Sequence, residues 1–455
     1  MRSRKIPHVQ PAAVGVRAAA ALLALALIVA LVGLAPAAFL EEPPEPRRPA
    51  TPPAVKATGF FRAQQVGGRW LLVAPDGRPF YANGIDHVSA SPDEDRKTGR
   101  CPYCEAIAAG YPDLDAWAAA TVDRLRSWGF NTLGAWSDVD LLKGMPYTVL
   151  LGMAGGDDWF ANEFEDRAAS IAASEVAERR DDPNLVGWYT DSELRWGPDW
   201  RKSTTLLDDY LALPVGSPGR RVAERYRGRP ERFLEVLARR YFSVTSAAIR
   251  AVDPNHLILG SKMITQLTPR ALMRVARRYI DVFTFDDYTL LPGLDEQIQA
   301  EWGPFVPRTP DFAEVYREIR KPLMITEYSF RAADAGVPNS YPPIFPVYPT
   351  QADRADAYAA YVEQLHRARW VVGDFWFEYT DEPAGGRFDG EDSNFGVVAT
   401  NDVPWQTMVE RMTAVHAQSP DHLVDAPSPP RERLRLSPLR RDVGASRRAP
   451  VRNFH

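Results

Sequence analysis

Apolar and polar positions come in alternating blocks along the middle of this chain. Short apolar runs at 81–86, 130–135, 147–153, 185–191, 257–261, 281–286, 322–326 and 371–377 have the length and character of buried parallel strands. Between them, apolar residues recur three and four apart at 114–128, 168–180, 231–252, 272–279, 312–320 and 352–369, the spacing of amphipathic helices. Gly129 follows the first of these, and Asp253-Pro254-Asn255 follows the third, both as stop signals. Ahead of the first strand, runs at 60–66 and 69–74 flank Gly67-Gly68, and Pro75-Asp76-Gly77 precedes 79–84. Those pairs mark a short antiparallel hairpin. Strand–helix alternation after a hairpin predicts an α/β chain with a (β/α)8 TIM barrel over 58–424. No Gly-x-Gly-x-x-Gly follows the first strand and no phosphate loop is present, which argues against a doubly wound nucleotide fold.

The flanks break the pattern. Residues 1–17 carry Arg2, Arg4, Lys5 and Arg17, and 18–40 is an uncharged apolar stretch. It matches the roughly 20 residues a membrane-spanning helix needs. Two readings stay open: an uncleaved transmembrane anchor, or a signal segment cut near Ala37 in the small-residue run Ala35-Pro36-Ala37-Ala38. In both, the basic leader stays in the cytoplasm and everything after Leu40 lies outside, at a bacterial cell envelope. A proline-rich linker is expected at 41–57 and a disordered basic tail at 425–455.

Composition narrows the partners. The chain has 455 residues and a net charge of -5. The central region shows no basic patch interleaved with aromatics, so nucleic acid is not expected as a partner. The 12 Trp and 17 Tyr are enough to pack a large core and still stack on sugar faces. Cys101 and Cys104, as Cys-Pro-Tyr-Cys in an exported domain, read as a structural disulfide. A redox pair would want a thioredoxin-like strand and helix around it, and zinc would want two further ligands, of which His87 supplies one. No metal and no cofactor are expected. Asp389, Glu391 and Asp392 read as a solvated acidic loop rather than a calcium site.

The chemistry is concentrated in two segments. One runs from Val186 to Gly197 and the other from Lys321 to Tyr328; each is an apolar run that ends in a carboxylate, Glu193 just past strand four and Glu327 at the end of strand seven. Strands four and seven face each other across a barrel mouth, where catalytic residues gather. Two carboxylates there are the minimum equipment for cleaving a glycosidic bond.

Further motifs carry a family likeness. They are Gly129-Phe130-Asn131-Thr132-Leu133-Gly134-Ala135-Trp136-Ser137-Asp138, Gly187-Trp188-Tyr189-Thr190-Asp191-Ser192-Glu193, Asp281-Val282-Phe283-Thr284-Phe285-Asp286-Asp287-Tyr288, the Glu327 segment, and Phe375-Trp376-Phe377-Glu378. In order and spacing the chain resembles retaining glycoside hydrolases with the acid/base after strand four and the nucleophile on strand seven, and within them the β-agarase type. The resemblance implies that Glu193 is the acid/base and Glu327 the nucleophile. It puts Ser192 where the family carries an asparagine that binds the sugar 2-hydroxyl. It makes Tyr288 a hydrogen-bond partner of the nucleophile and Trp376 a platform under the reacting sugar. Asn83, His87, Trp136 and Asp138 become candidate subsite residues. By position alone, Asp286 and Asp287, which end strand six, are candidates to line the cleft. The expected activity is hydrolysis of O-glycosidic bonds in a poly- or oligosaccharide by double displacement. Alternatives are an envelope polysaccharide transglycosidase and a non-catalytic, membrane-tethered glycan-binding barrel. A metal-dependent hydrolase would need a His-x-His or similar ligand set at the strand ends, and none is present.

Overall fold

The computed structural model describes residues 56–291, 293–294 and 312–422, all within the compact unit Thr51–His455. The leader, the apolar stretch 18–40, nearly all of the linker 41–57 and the tail 425–455 lie outside the described residues. Among the described residues, no helix is long and apolar enough to cross a membrane.

The chain opens with the predicted hairpin. Strands β1 (Arg62–Val66) and β2 (Arg69–Val73) pair antiparallel, with Val66 opposite Arg69. The connecting Gly67 and Gly68 have φ of 57° and 76°, the left-handed pair that a two-residue hairpin turn requires. Strand β3 (Pro79–Phe80) adds to β2. Phe61, Leu72 and Ala74 then pack with Ala82, Val186, Leu257, Val282, Met324 and Val372, which come from the starts of the barrel strands. The hairpin therefore closes the N-terminal end of the barrel with apolar side chains.

The barrel strands are β4 (Ala82–Ile85), β5 (Thr132–Leu133), β6 (Tyr147–Leu150), β7 (Leu185–Tyr189), β8 (Leu257–Gly260), β9 (Met263–Ile264), β10 (Phe283–Asp286) and β11 (Leu323–Tyr328). Strands β12 (Arg331–Ala332) and β13 (Val347–Tyr348) form a separate pair in the loop that follows β11. Strand β14 (Val371–Trp376) completes the sheet. Its order is β8-β7-β6-β5-β4-β14-β11-β10-β9, with parallel neighbours. Strands β8 and β9 are two parts of one stave, broken at Ser261 and Lys262. The Asp281 N–H donates to the Ile258 carbonyl (2.8 Å) and Thr284 Oγ1 to the Leu259 carbonyl (2.8 Å), so the ring closes through this fifth stave.

The helices follow their periodicity. Asp113 caps Leu114–Ser127 through the Ala116 N–H, and Gly129 (φ 82°) stops it. Thr350 and Asp353 form a capping box at Gln351–Arg367. Helix Pro230–Val252 buries Phe233, Leu237, Tyr241 and Ile249 on one face, each burial contributing roughly 1.5–3 kcal/mol. Four α-helices fall where the sequence reading places no element: Pro102–Gly110, Leu206–Ala212, Pro218–Glu224 and Gln406–His416, all beyond strand ends.

Pairing slips at positions that decide the site. Against β10, Phe285 pairs with Ile325 but Asp286 pairs with Glu327, which leaves Thr326 as an extra residue in β11. The β14 side shows the same excess, with Ile325 opposite Asp374 and Tyr328 opposite Trp376. Met324 points into the barrel and Ile325 points at the helices. Strict alternation would send Glu327 outward with Ile325; the bulge turns it inward and Tyr328 outward. Strand β14 carries its own extra residue, because Leu323 pairs with Val371 and Ile325 with Asp374.

Candidate active site

Each chemical group at the C-terminal mouth sits at or just past the end of a stave. Asp86 follows β4, Trp136 follows β5, Glu193 follows β7, Lys262 lies in the break of stave five, Asp286 ends β10 and Glu327 lies in β11. Four residues here, His87, Trp136, Glu193 and Lys262, have positive φ without being glycine. Such backbone costs of order 1–3 kcal/mol per residue and is kept where the surrounding structure enforces it.

One oxygen from each of Glu193, Asp286 and Glu327 lies within 4.8 Å of the others. Glu327 is buried; Tyr288 donates its hydroxyl to Oε2 (2.9 Å), and Lys262 Nζ lies 2.7 Å from Oε1. Thr326 Oγ1 donates to Asp286 Oδ1 (2.8 Å). Lys262, fully buried, also faces Asp86 Oδ2 at 3.6 Å, and its ammonium lies 4.3 Å from the centre of the Trp136 ring. Trp136 is 43% exposed, so much of the ring remains open to solvent. Gly134 is obligatory beneath this group, since a Cβ there would run into Asp86 Oδ1.

The electrostatics follow from burial and crowding. Burial, then the charge of Glu327, pushes the Glu193 carboxyl up to about 8, against the pull of Lys262 and Arg201. Burial and Glu327 likewise push Asp86 up to about 7, although Lys262 opposes them. Asp286 is raised well above the carboxylate range for the same reasons. Burial disfavours the Lys262 ammonium, yet Asp86, Glu327 and Asp286 together hold it well above the usual lysine range. The mouth thus holds Glu193 and Asp286, whose protonated forms burial and crowding favour, beside Glu327, which is paired with a buried cation.

At the rim, His87 Nδ1 lies 2.5 Å from Glu378 Oε2 and 3.8 Å from Asp93 Oδ2. Burial lowers the His87 pKa, but Glu378 and Asp93 more than offset it, so the group is raised. Among the described residues, two triads have ligand atoms close enough to hold a cation: Glu193, Asp286 and Glu327, and His87, Asp93 and Glu378. The first already has a protein cation, Lys262, against it.

The predicted site residues divide. Glu193, Glu327, Tyr288 and Trp136 converge, Ser192 lies half-buried beside Glu193, and His87 stands at the rim. Asp138 ties its loop to the one that follows β4, accepting from Ser89 Oγ (3.0 Å) and the Ala90 N–H (2.8 Å). Three others are corrected by the structure. Asn83 is turned out of the barrel onto Ser419 Oγ (2.8 Å). Asp287 accepts the Tyr361 hydroxyl (2.7 Å) in the helix layer. Trp376 is fully buried against Tyr328, Tyr358 and Phe330, with Nε1 donating to the Phe395 carbonyl, so it is no sugar platform. The bulge in β14 is the cause: it reverses the facing, and Phe377 takes the mouth position near Trp136 and Tyr288. Cys101 and Cys104 are joined by a disulfide whose Cα atoms are 5.2 Å apart.

Sequence reasoning passed over Asp86, Lys262 and Phe377 as site residues. The first two carry the signal that singled out Glu327, a charge where an apolar run ends: Asp86 closes 81–86 and Lys262 follows 257–261.

No family model matches the chain. Beta-agarase B of Vibrio sp. (strain JT0107) is 25% identical to it, over 79% of this chain and 48% of that protein. The chain therefore spans about half the length of this curated relative. Among solved structures, that of an agarase, AgWH50C, superposes with a TM-score of 0.68 at 23% identity, covering 91% of this chain and 71% of that one. That of an exo-beta-agarase gives a TM-score of 0.67 at 24% identity, covering 83% and 66%. These two likenesses speak to the shared barrel fold.

Proposed function

We propose that this chain is a glycoside hydrolase that cleaves O-glycosidic bonds in a polysaccharide with retention of configuration. The observation that carries the reading is the approach of Glu193 and Glu327 at the barrel mouth, with oxygens within 4.8 Å. Retaining enzymes hold their two carboxyl groups about 5–5.5 Å apart, whereas inverting ones leave about 6.5–9.5 Å for a water. Similarity to beta-agarase B supports a polysaccharide, and a β-linked galactan of the agar kind is the first substrate to try.

The chemistry follows from the geometry. Glu193, protonated at neutral pH, gives its proton to the leaving oxygen as Glu327 attacks the anomeric carbon. The glycosidic C–O bond breaks and an ester to Glu327 forms. Water then attacks the anomeric carbon, its proton passing to Glu193, as the bond from that carbon to Glu327 breaks and Glu327 leaves as carboxylate. Tyr288 holds the Glu327 oxygen in line. Export to the cell envelope goes with this reading; the apolar stretch 18–40 and the Cys101–Cys104 disulfide, a bond favoured in oxidising compartments, support it.

The test is a panel of agarose, other marine, plant and bacterial polysaccharides and aryl glycosides, with products sized and the first-formed anomer read by proton NMR. We expect cleavage of at least one substrate with the anomeric configuration kept. Inverted product would remove the double displacement, and no cleavage anywhere would remove the activity.

A further inference from the structure

The proposed chemistry needs its two glutamates at a fixed separation, yet they lie on different staves and do not bond to each other. One residue touches both. The carbonyl of Lys262 accepts the Glu193 N–H at 3.0 Å, while its ammonium lies 2.7 Å from Glu327 Oε1. We infer that Lys262 is a positioning residue: its main chain anchors the acid and its side chain anchors the nucleophile, so the break in stave five sets the spacing of the catalytic pair. This rests on the glycosidase reading of the site and deepens it.

The local backbone is built for this double contact. Gly260 and Lys262 have φ of 84° and 37°, two left-handed residues within three. Leu259 faces the barrel interior and Ile258 the helices, so an unbroken strand would send residue 262 outward among the helices. The break instead carries Lys262 into the barrel and leaves its carbonyl free to meet the Glu193 N–H. Glu193 is held from its other side too, because Arg201 Nη1 donates to its carbonyl (2.7 Å). The side chain that enters is a full cation with no exposure to water. Burying such a group is costly unless opposite charge surrounds it. The groups around it come from every neighbouring element: Asp86 after β4, Tyr189 in β7, Glu193 after β7, Asp286 in β10 and Glu327 in β11, with the Trp136 ring above. A lysine needed only to neutralise Asp86 would have no reason to lie closer to Glu327 than to Asp86, as this one does. The arrangement also suits the covalent stage. When Glu327 becomes a neutral ester, Asp86 and Asp286 are the strand-end aspartates left beside the ammonium, and loss of the Glu327 charge favours their ionisation.

The test uses the full chain and reads Glu193 directly. With glutamate labelled by 13C at the side-chain carboxyl, and Glu193→Gln assigning the signal, the titration of Glu193 is followed in wild type and in Lys262→Met, alongside the pH profile of kcat/KM. Removing the ammonium should move the Glu193 midpoint and the alkaline limb upward together, by about one pH unit or more. It should also cut kcat/KM by about 100-fold, as misplacing catalytic groups by an ångström does. A midpoint and limb that stay at wild-type values in folded Lys262→Met would overturn the assignment. If Lys262→Met does not fold, Lys262→Arg decides: the longer, planar head keeps the charge but not the spacing, so the limb should hold while kcat falls at least tenfold. Wild-type kcat in that variant would overturn the assignment as well. A wild type that cleaves no glycan would sink the glycosidase reading, while the Glu193 titration would still decide whether Lys262 acts on it.

Discussion

Asp253, at the N-terminal end of stave five, and Asp86, at the C-terminal end of stave one, are both fully buried. Asp253 accepts from Trp188 Nε1 (2.7 Å) and from the Asn255 and His256 N–H groups (2.9 and 3.1 Å), with His256 Nδ1 also at 2.7 Å. Burial alone would raise its pKa, but these donors outweigh burial and hold it at about 2. Neither oxygen of Asp86 meets a well-formed hydrogen bond, and its cation, Lys262, lies closer to Glu327. Its pKa is pushed up to about 7. Two carboxyls equally shut off from solvent therefore end up opposite, because Asp253 meets donors and Asp86, set deeper among protein atoms, meets few. At the barrel's bottom the fold supplies donors and the charge is locked into structure. At its mouth the acids are left crowded around one cation, and Asp86 and Glu193 are pushed toward neutral pH, which is what acid–base chemistry needs.

The largest effects should separate the two ends by what they damage. Glu327→Gln should lower kcat by on the order of 10^4-fold or more. Glu193→Ala should lower it by about 10^2–10^4-fold, and azide should restore part of the rate. Both variants should unfold within a few degrees of wild type, and full activity in either would reject the assignment. At the bottom, Asp253→Ala strands the Trp188 and His256 donors without their acceptor. Urea unfolding should show a loss of about 3 kcal/mol, with kcat per folded molecule unchanged.

The pH dependence sharpens the contrast because the signs differ. The Asp253 pKa is depressed on folding, so its stabilisation is present above the unfolded value of about 4 and is lost as pH falls through about 2. Those of Asp86 and Glu193 are raised, so their contribution is fully present below about 4 and is lost as pH rises through about 7 and 8. Urea midpoints taken from pH 5 to pH 9 should fall, and Asp86→Asn should flatten the decline. Over the same range kcat/KM should drop above about pH 8, where Glu193 gives up the proton that the proposed mechanism has it donate. A rate still rising at pH 9 would show that Glu193 is not the acid. The smallest effect belongs to Asn83→Ala, which should cost about 1 kcal/mol through the lost Ser419 contact and leave KM unchanged. A tenfold rise in KM would return Asn83 to the substrate.

Much of this was legible before folding. The apolar runs found every stave, because a strand buried on both faces must be apolar along its length. Glu193 and Glu327 stood out as charges that such a run tolerates only where it opens to a site. The helices at 206–212 and 218–224 were not legible: they are short, and their packing depends on the barrel beneath them. Lys262 and Asp86 carried the right signal, but a single charge after an apolar run is also common at a plain strand end.

Residue order by itself determined that the chain alternates strand and helix, that a hairpin precedes the barrel, and that acids lie at stave ends. Tertiary structure alone decided which way those ends face. The extra residue at Thr326 turns Glu327 inward, the extra residue in β14 turns Trp376 outward and gives its place to Phe377, and the break at 260–262 brings Lys262 into the barrel. One residue of slip reverses the facing of every side chain beyond it, and where the slip falls is set by hydrogen bonds to neighbouring strands distant in the sequence.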